Sequence, residues 1–84
     1  MANVEMTPDA VKQAAALPAI VKKRLQNVVL RLAKWPAVSG AKPLRGELAG
    51  WFRIRTGDYR IRFRVEGDTV IVDKIGHRKD VYED

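Results

Sequence analysis

The stretch WFRIRTGDYRIRFRVEGDTVIVDKIG, residues 51–76, decides how this chain folds. Gly57-Asp58 and Gly67-Asp68 split it into three runs rich in β-branched, aromatic and arginine residues. Two-residue signals of this kind favour the primed turns of β-hairpins, whose twist matches that of the flanking strands. The stretch therefore reads as an antiparallel three-stranded meander. In the first hairpin the turn sets Thr56 against Tyr59, Arg55 against Arg60, Ile54 against Ile61, Arg53 against Arg62 and Phe52 against Phe63. Carried one-to-one through the second turn, the register sets Val65 against Val70, Phe63 against Val72, Arg62 against Asp73, Arg60 against Ile75 and Tyr59 against Gly76.

Side chains alternate between the two faces of a strand. One face of the meander thus collects Phe52, Ile54, Ile61, Phe63, Val65, Val70 and Val72, and this face must be covered. The other collects Arg53, Arg55, Arg60, Arg62 and Arg64, over Ile71 and Ile75, with Asp73 as the one nearby acid. Like charges directly opposite each other destabilise a sheet by about 0.2–1 kcal/mol per pair. An ordinary solvated face would mix Thr, Lys, Glu and Gln. Five arginines without a glutamate suit phosphate better, because guanidinium is planar, permanently charged and able to bind two oxygens at once.

Upstream, Val4 and Met6 alternate with Asn3 and Glu5 as in a short strand, which can pair at either edge of the meander. Thr7-Pro8-Asp9 is a helix start, with Thr7 as N-cap, Pro8 at the first helical position and Asp9 near the positive end of the dipole. The first helix is predicted to run to about Leu17, where Pro18 ends it. From Ala19 to Trp35 the residues Ile20, Val21, Leu25, Val28, Val29, Leu32 and Trp35 recur at helical spacing, with Lys22, Lys23, Arg31 and Lys34 on the solvated side. Pro36, Gly40, Pro43, Gly46 and Gly50 then mark a long loop, anchored by Leu44 and Leu48. The fold class is α+β: a short N-terminal strand, a helical hairpin, and a meander with the helices packed on one face.

The 84 residues are enough for one domain, 1–84, which at this size buries only about 60% of the surface of its unfolded chain. With 46% apolar and 31% charged residues, the composition is that of a globular protein. The chain has no cysteine and a single histidine, His77, which argues against a metal site; no cofactor is expected. It lacks a signal-peptide pattern and any run near the about 18 apolar residues of a membrane span, so a cytoplasmic location away from membranes is expected. A net charge of +6 favours an anionic partner. Residues 1–43 carry seven Lys/Arg against two acids and residues 44–84 nine against eight. It is the arginine pattern, not net charge, that singles out the second half.

The chain leaving the meander carries Gly76-His77-Arg78-Lys79-Asp80-Val81-Tyr82, and the even register brings His77 and Arg78 beside Arg55 and Arg60. An imidazole, several guanidiniums and the Tyr82 phenol would then stand together. Such a set can stabilise a pentacoordinate phosphorane, deprotonate a 2′-hydroxyl and protonate a 5′-oxygen without a metal. Trp35 and Trp51 read as core or rim residues.

Leu44-Arg45-Gly46, Trp51-Phe52-Arg53-Ile54-Arg55, Gly57-Asp58-Tyr59-Arg60-Ile61 and the segment from Gly76 to Tyr82, taken in this order, resemble the RelE/ParE toxin superfamily of bacterial toxin-antitoxin systems. The RelE branch is the closer likeness. The resemblance implies a toxin that enters the ribosomal A site and cleaves mRNA there, held in check by a cognate antitoxin protein. Carried over by position, Arg53 and Arg55 match the basic pair on the first meander strand, Arg60 the arginine after the turn, Arg78 the arginine after the last strand, and Tyr82 the C-terminal tyrosine. Familiar members carry lysines where this chain has Arg53 and Arg55, and arginine cannot serve as a base. Proton transfer is therefore expected of His77 or Tyr82, charge stabilisation of Arg55, Arg60 and Arg78, and backbone binding of Arg53, Arg62 and Lys79. The alternatives are a ParE-like gyrase poison and an inactive member that only binds antitoxin or nucleic acid.

Overall fold

The computed structural model describes residues 2–78. Strand β1 (Asn3–Met6) leads into helices α1 (Pro8–Ala15) and α2 (Ala19–Leu32); a two-residue strand β2 (Lys42–Pro43) and a single 3-10 turn (Gly46–Leu48) precede the meander β3 (Trp51–Thr56), β4 (Tyr59–Glu66) and β5 (Thr69–His77). The five strands form one mixed sheet in the order β1-β5-β4-β3-β2. The two-residue β2 is additional to the expected elements: it pairs antiparallel with β3, Lys42 against Arg53 and Pro43 against Phe52. With that edge taken, β1 lies parallel to β5 at the other, Val4 beside Val70 and Met6 beside Val72.

Local chemistry sets the helix ends. Thr7 Oγ1 accepts from the Ala10 N–H at 3.2 Å, capping one of the orphan donors of α1. Ala16 closes α1 by donating back to Lys12 and Gln13. Helix α2 ends at Leu32, three residues short of the apolar periodicity, because Pro36 disfavours helical geometry at Trp35. The chain tightens there through Lys34 N–H to Arg31 O and Trp35 N–H to Leu32 O, both 3.0 Å. Trp35 then meets Phe52 and Phe63 in T-shaped contacts, with centroids at 5.0 and 5.5 Å.

Val21, Leu25, Val28 and Leu32 form the buried stripe of α2. Leu25, Val28 and Leu32 join Ala10 of α1 over Ile54, Ile61, Phe63, Val70, Val72 and Ile75 of the sheet. Leu44 is buried as an anchor of the long connection, whereas Leu48 is half-buried. The core is thus one-sided, and the opposite face of the sheet is left to the arginines.

The first hairpin follows the predicted register throughout, Phe52 against Phe63 to Thr56 against Tyr59. The second departs from it halfway. Phe63 pairs with Val72 as predicted, but Arg62 pairs with Lys74, Arg60 with Gly76 and Tyr59 with His77. Asp73 is the extra residue of a β-bulge, and every later side chain of β5 changes face. The gain is Ile75, which would otherwise lie under the arginines and instead enters the core opposite Ile61, 4% exposed. Two side chains from the start of the chain hold the bulge: the Thr7 hydroxyl donates to Asp73 O at 3.4 Å, and Gln13 Oε1 accepts the Ile75 N–H at 2.6 Å.

Candidate phosphate-binding face

Strand alternation places Trp51, Arg53 and Arg55 of β3 and Arg60, Arg62 and Arg64 of β4 on the sheet face away from the helices. The acids divide this face into two ends. Arg62 forms a two-pronged bridge to Asp73, Nε to Oδ1 at 2.9 Å and Nη2 to Oδ2 at 2.6 Å. That hydrogen-bonded carboxylate raises the Arg62 pKa above its ordinary value, with partial burial opposing and charge attraction adding to the shift. Arg64 bridges Glu66 at 2.6 Å. Both guanidiniums lie over the Trp51 ring, 4.9 and 5.1 Å from its centroid. Trp51 is therefore a support for the arginines. Arg62, expected to bind RNA backbone, has its charge balanced by Asp73.

At the other end, near the β3–β4 turn, Arg55 and Arg60 are direct cross-strand partners. Beyond Arg60 stands Gly76, which adds no side chain to the face. Arg60 is 6% exposed and Arg53 8%, so both are held by their surroundings, while Arg55 is open to solvent. The chain leaves β5 beside the turn as expected, with Arg78 N–H donating to Asp58 O at 2.7 Å.

His77 is not where the even register put it. The bulge moves it to the face of Tyr59 and Ile75, and its ring meets Tyr59 edge-on at 5.6 Å. The structure therefore joins Arg53, Arg55 and Arg60 on one surface, with Arg78 at its end, and sets His77 on the reverse side of the sheet. Lys79 and Tyr82 lie outside the described residues.

Sequence reasoning missed three cations. The Arg24 guanidinium of α2 reaches the β3–β4 turn, where its Nη1 would stand 2.8 Å from a Cβ placed on Gly57. Lys42 and Arg45 join Pro43 and Arg53 around a groove of about 310 Å³ at the outer edge of β3. Lys42 and Pro43 are both exposed, so β2 leaves no alternation to read amid the Pro and Gly punctuation of the loop.

A helical hairpin packed on one face of a mixed sheet is the fold of solved RelE-type toxins. The sequence pattern for the ParE toxin of type II toxin-antitoxin systems, parDE, matches residues 4–82. The chain is 30% identical over 76 residues to toxin RelE3 of Methanocaldococcus jannaschii, covering 87% of this chain and 86% of that protein. It is 46% identical to toxin RelG of Mycobacterium tuberculosis over 43 residues, about half of either chain (49%). The crystal structure of the toxin-antitoxin complex RelBE2 from Mycobacterium tuberculosis superposes with a TM-score of 0.82 at 31% identity, over 92% of this chain and 98% of that one. This protein belongs to the RelE/ParE family of toxins of type II toxin-antitoxin systems.

Proposed function

We propose that the chain is a ribosome-dependent endoribonuclease of the RelE kind, which cleaves mRNA by attack of a 2′-hydroxyl on the adjacent phosphate. The observation that carries this reading is the direct cross-strand pairing of Arg55 with Arg60 beside the β3–β4 turn. Two guanidiniums side by side, one accessible and one fixed, suit a phosphate whose negative charge grows in the transition state. Preorganised cations of this kind stabilise that charge without having to reorganise as it forms. Arg78, at the end of β5, is assigned to the leaving side of the same phosphate, and Arg53 and Lys79 to the neighbouring backbone. Metal is not called for in this scheme, since the side chains supply the positive charge.

Proton transfer falls to Tyr82, because arginine does not deprotonate in the accessible range and His77 faces away from Arg60. His77 is assigned instead to hold the turn through its contact with Tyr59. The toxin's partners in this reading are the ribosome with its mRNA and a cognate antitoxin protein, in keeping with the relatives solved as toxin-antitoxin complexes. Its place of action is the cytoplasm, and among the described residues no helix is long and apolar enough to cross a membrane.

The test is expression of the intact chain beside Arg55→Ala and Arg60→Ala, with primer extension on mRNA bound to ribosomes. Cuts at codon positions that fade by about 10²-fold or more in either variant are expected, the scale of losing one transition-state donor. Growth arrest without any cut would defeat the proposal. The ParE description of the matching family favours one rival, a toxin that poisons gyrase; a DNA-damage response with intact mRNA would establish it.

A further inference from the structure

The two tryptophans of the chain differ in what lies beside them. Trp51 carries the Arg62 and Arg64 guanidiniums over its ring, and each is also bridged to a carboxylate, Arg62 to Asp73 and Arg64 to Glu66. Trp35 has no cation over its ring among the described residues. With Ala2, Pro36, Gly67 and Asp68 it lines a cavity of about 280 Å³ beside the β4–β5 turn. That turn is at the opposite end of β4 from Arg55 and Arg60.

Asp68 is exposed, and among the described residues its carboxylate makes no ion pair or hydrogen bond. Its backbone is anchored, since Asp68 O accepts the Asn3 N–H at 2.8 Å. Glu66, on the other side of the turn, is held by Arg64. Ala2 N–H donates to Ala33 O, the C-cap of α2, at 2.9 Å, so the cavity sits against the negative end of that helix dipole. The described lining therefore offers an aromatic ring and a carboxylate, with no Lys or Arg, on a chain of net charge +6.

A ring and a carboxylate in one cavity select a cation. Guanidinium answers both, because its plane stacks on an aromatic face while its N–H groups bind the carboxylate in pairs. The sheet itself contains that arrangement at Trp51, Arg62 and Asp73. We propose that the Trp35–Asp68 cavity is a docking pocket for an arginine side chain of a protein partner. The inference does not depend on the RNA-cleaving reading. A free polyamine is the rival occupant, and two features disfavour it. The net charge repels small cations at a distance, so the occupant must add contacts to its charge, which Ala2 and Pro36 offer to an arginine stem. The Trp35 indole N–H has no acceptor among the described residues; a peptide carbonyl supplies one, and a polyamine has only donors.

The experiment titrates the isotope-labelled full chain with acetyl-Ala-Arg-Ala-amide by NMR at constant ionic strength, with the uncharged citrulline peptide in parallel. Saturable shifts of the Trp35 indole and of the Gly67 and Asp68 amides are expected in the millimolar range, without movement of the Trp51 indole. The citrulline peptide should leave all of them in place. Asp68→Asn is expected to weaken the arginine peptide about three- to five-fold, the scale of one exposed ion pair, whereas Asp9→Asn at the start of α1 changes nothing. Asp68 is exposed, so its variant should fold, and its melting temperature checks this. Absence of these shifts, equal shifts with citrulline, or undiminished binding by Asp68→Asn overturns the pocket. Spermidine that moves the same peaks at a tenth of the peptide concentration would assign the cavity to a polyamine and overturn the proposal as well.

Discussion

Removing the Asp73 carboxylate tests how the arginine face is held together. Asp73→Ala breaks both prongs of the bridge to Arg62, whose side chains are 19% and 15% exposed for Arg62 and Asp73. Fully exposed pairs are worth about 0–1 kcal/mol, and breaking a buried pair costs about 3–5 kcal/mol. At this partial exposure, solvent screening places the loss near the lower part of that span, about 2 kcal/mol. For a domain of this size that corresponds to a fall of about 8–16 °C in melting temperature. The assay is urea unfolding in a double-mutant cycle with Arg62→Leu, and the expected coupling is about 1–2 kcal/mol. The sign of the pH dependence follows from Arg62. A group whose pKa rises on folding adds stability at every pH below its unfolded value and loses it only as pH climbs through the folded one. For a guanidinium both values lie above the range in which proteins are handled. The Arg62→Leu deficit should therefore stay level from about pH 6 to about pH 9. A coupling below about 0.3 kcal/mol would refute the reasoning, since the bridge would then be an ordinary surface pair.

Three further substitutions probe the elements that place the site. Gln13→Leu leaves the Ile75 N–H without its acceptor and should cost about 1–3 kcal/mol, with faster exchange of that amide by NMR. Gly57→Ala puts a Cβ at φ +59 and 2.8 Å from Arg24 Nη1; a loss of about 1–2 kcal/mol is expected in thermal melts, with Arg24→Ala restoring only the steric share. Phe63→Ala empties the centre of the core, where Phe63 is fully buried and stacks on Phe52 at 5.5 Å; a cost of about 3–5 kcal/mol should leave much of the chain without near-UV circular dichroism.

Legibility in the sequence was greatest where a local signal sets a long-range result. Gly57-Asp58 fixes the first hairpin, and with it the arginine pairs of β3 and β4. Gly67-Asp68 fixes the second only as far as Val72, because a turn cannot announce a bulge further along the strand. The signal was present in another form: Val70, Val72 and Ile75 break the two-residue alternation with a step of three. Reading that step would have placed Ile75 in the core and turned His77 away from Arg60, since a slip of one residue exchanges the faces. The edge chosen by β1 depends on β2 occupying the other, and a two-residue strand containing proline leaves almost no pattern to read. Arg24 reaches the turn from a helix 33 positions earlier in the chain, a contact that no local pattern encodes.

The bulge also explains why one face can serve two purposes. Asp73 belongs to neither strand's regular pairing, so it can lean onto Arg62 while Lys74 takes the position opposite that arginine. The Arg62–Arg64 end is thereby locked by Asp73, Glu66 and the Trp51 ring. The same extra residue brings Gly76 opposite Arg60, keeping the strand position beside the Arg55–Arg60 pair clear of a side chain. Without the bulge, Ile75 would stand at that position, and a branched apolar side chain would crowd the guanidiniums. One inserted residue thus completes the core on one side of the sheet and sets a glycine beside Arg60 on the other. Selection for either result secures both, which ties the packing of the core to the placement of the arginines on the far face.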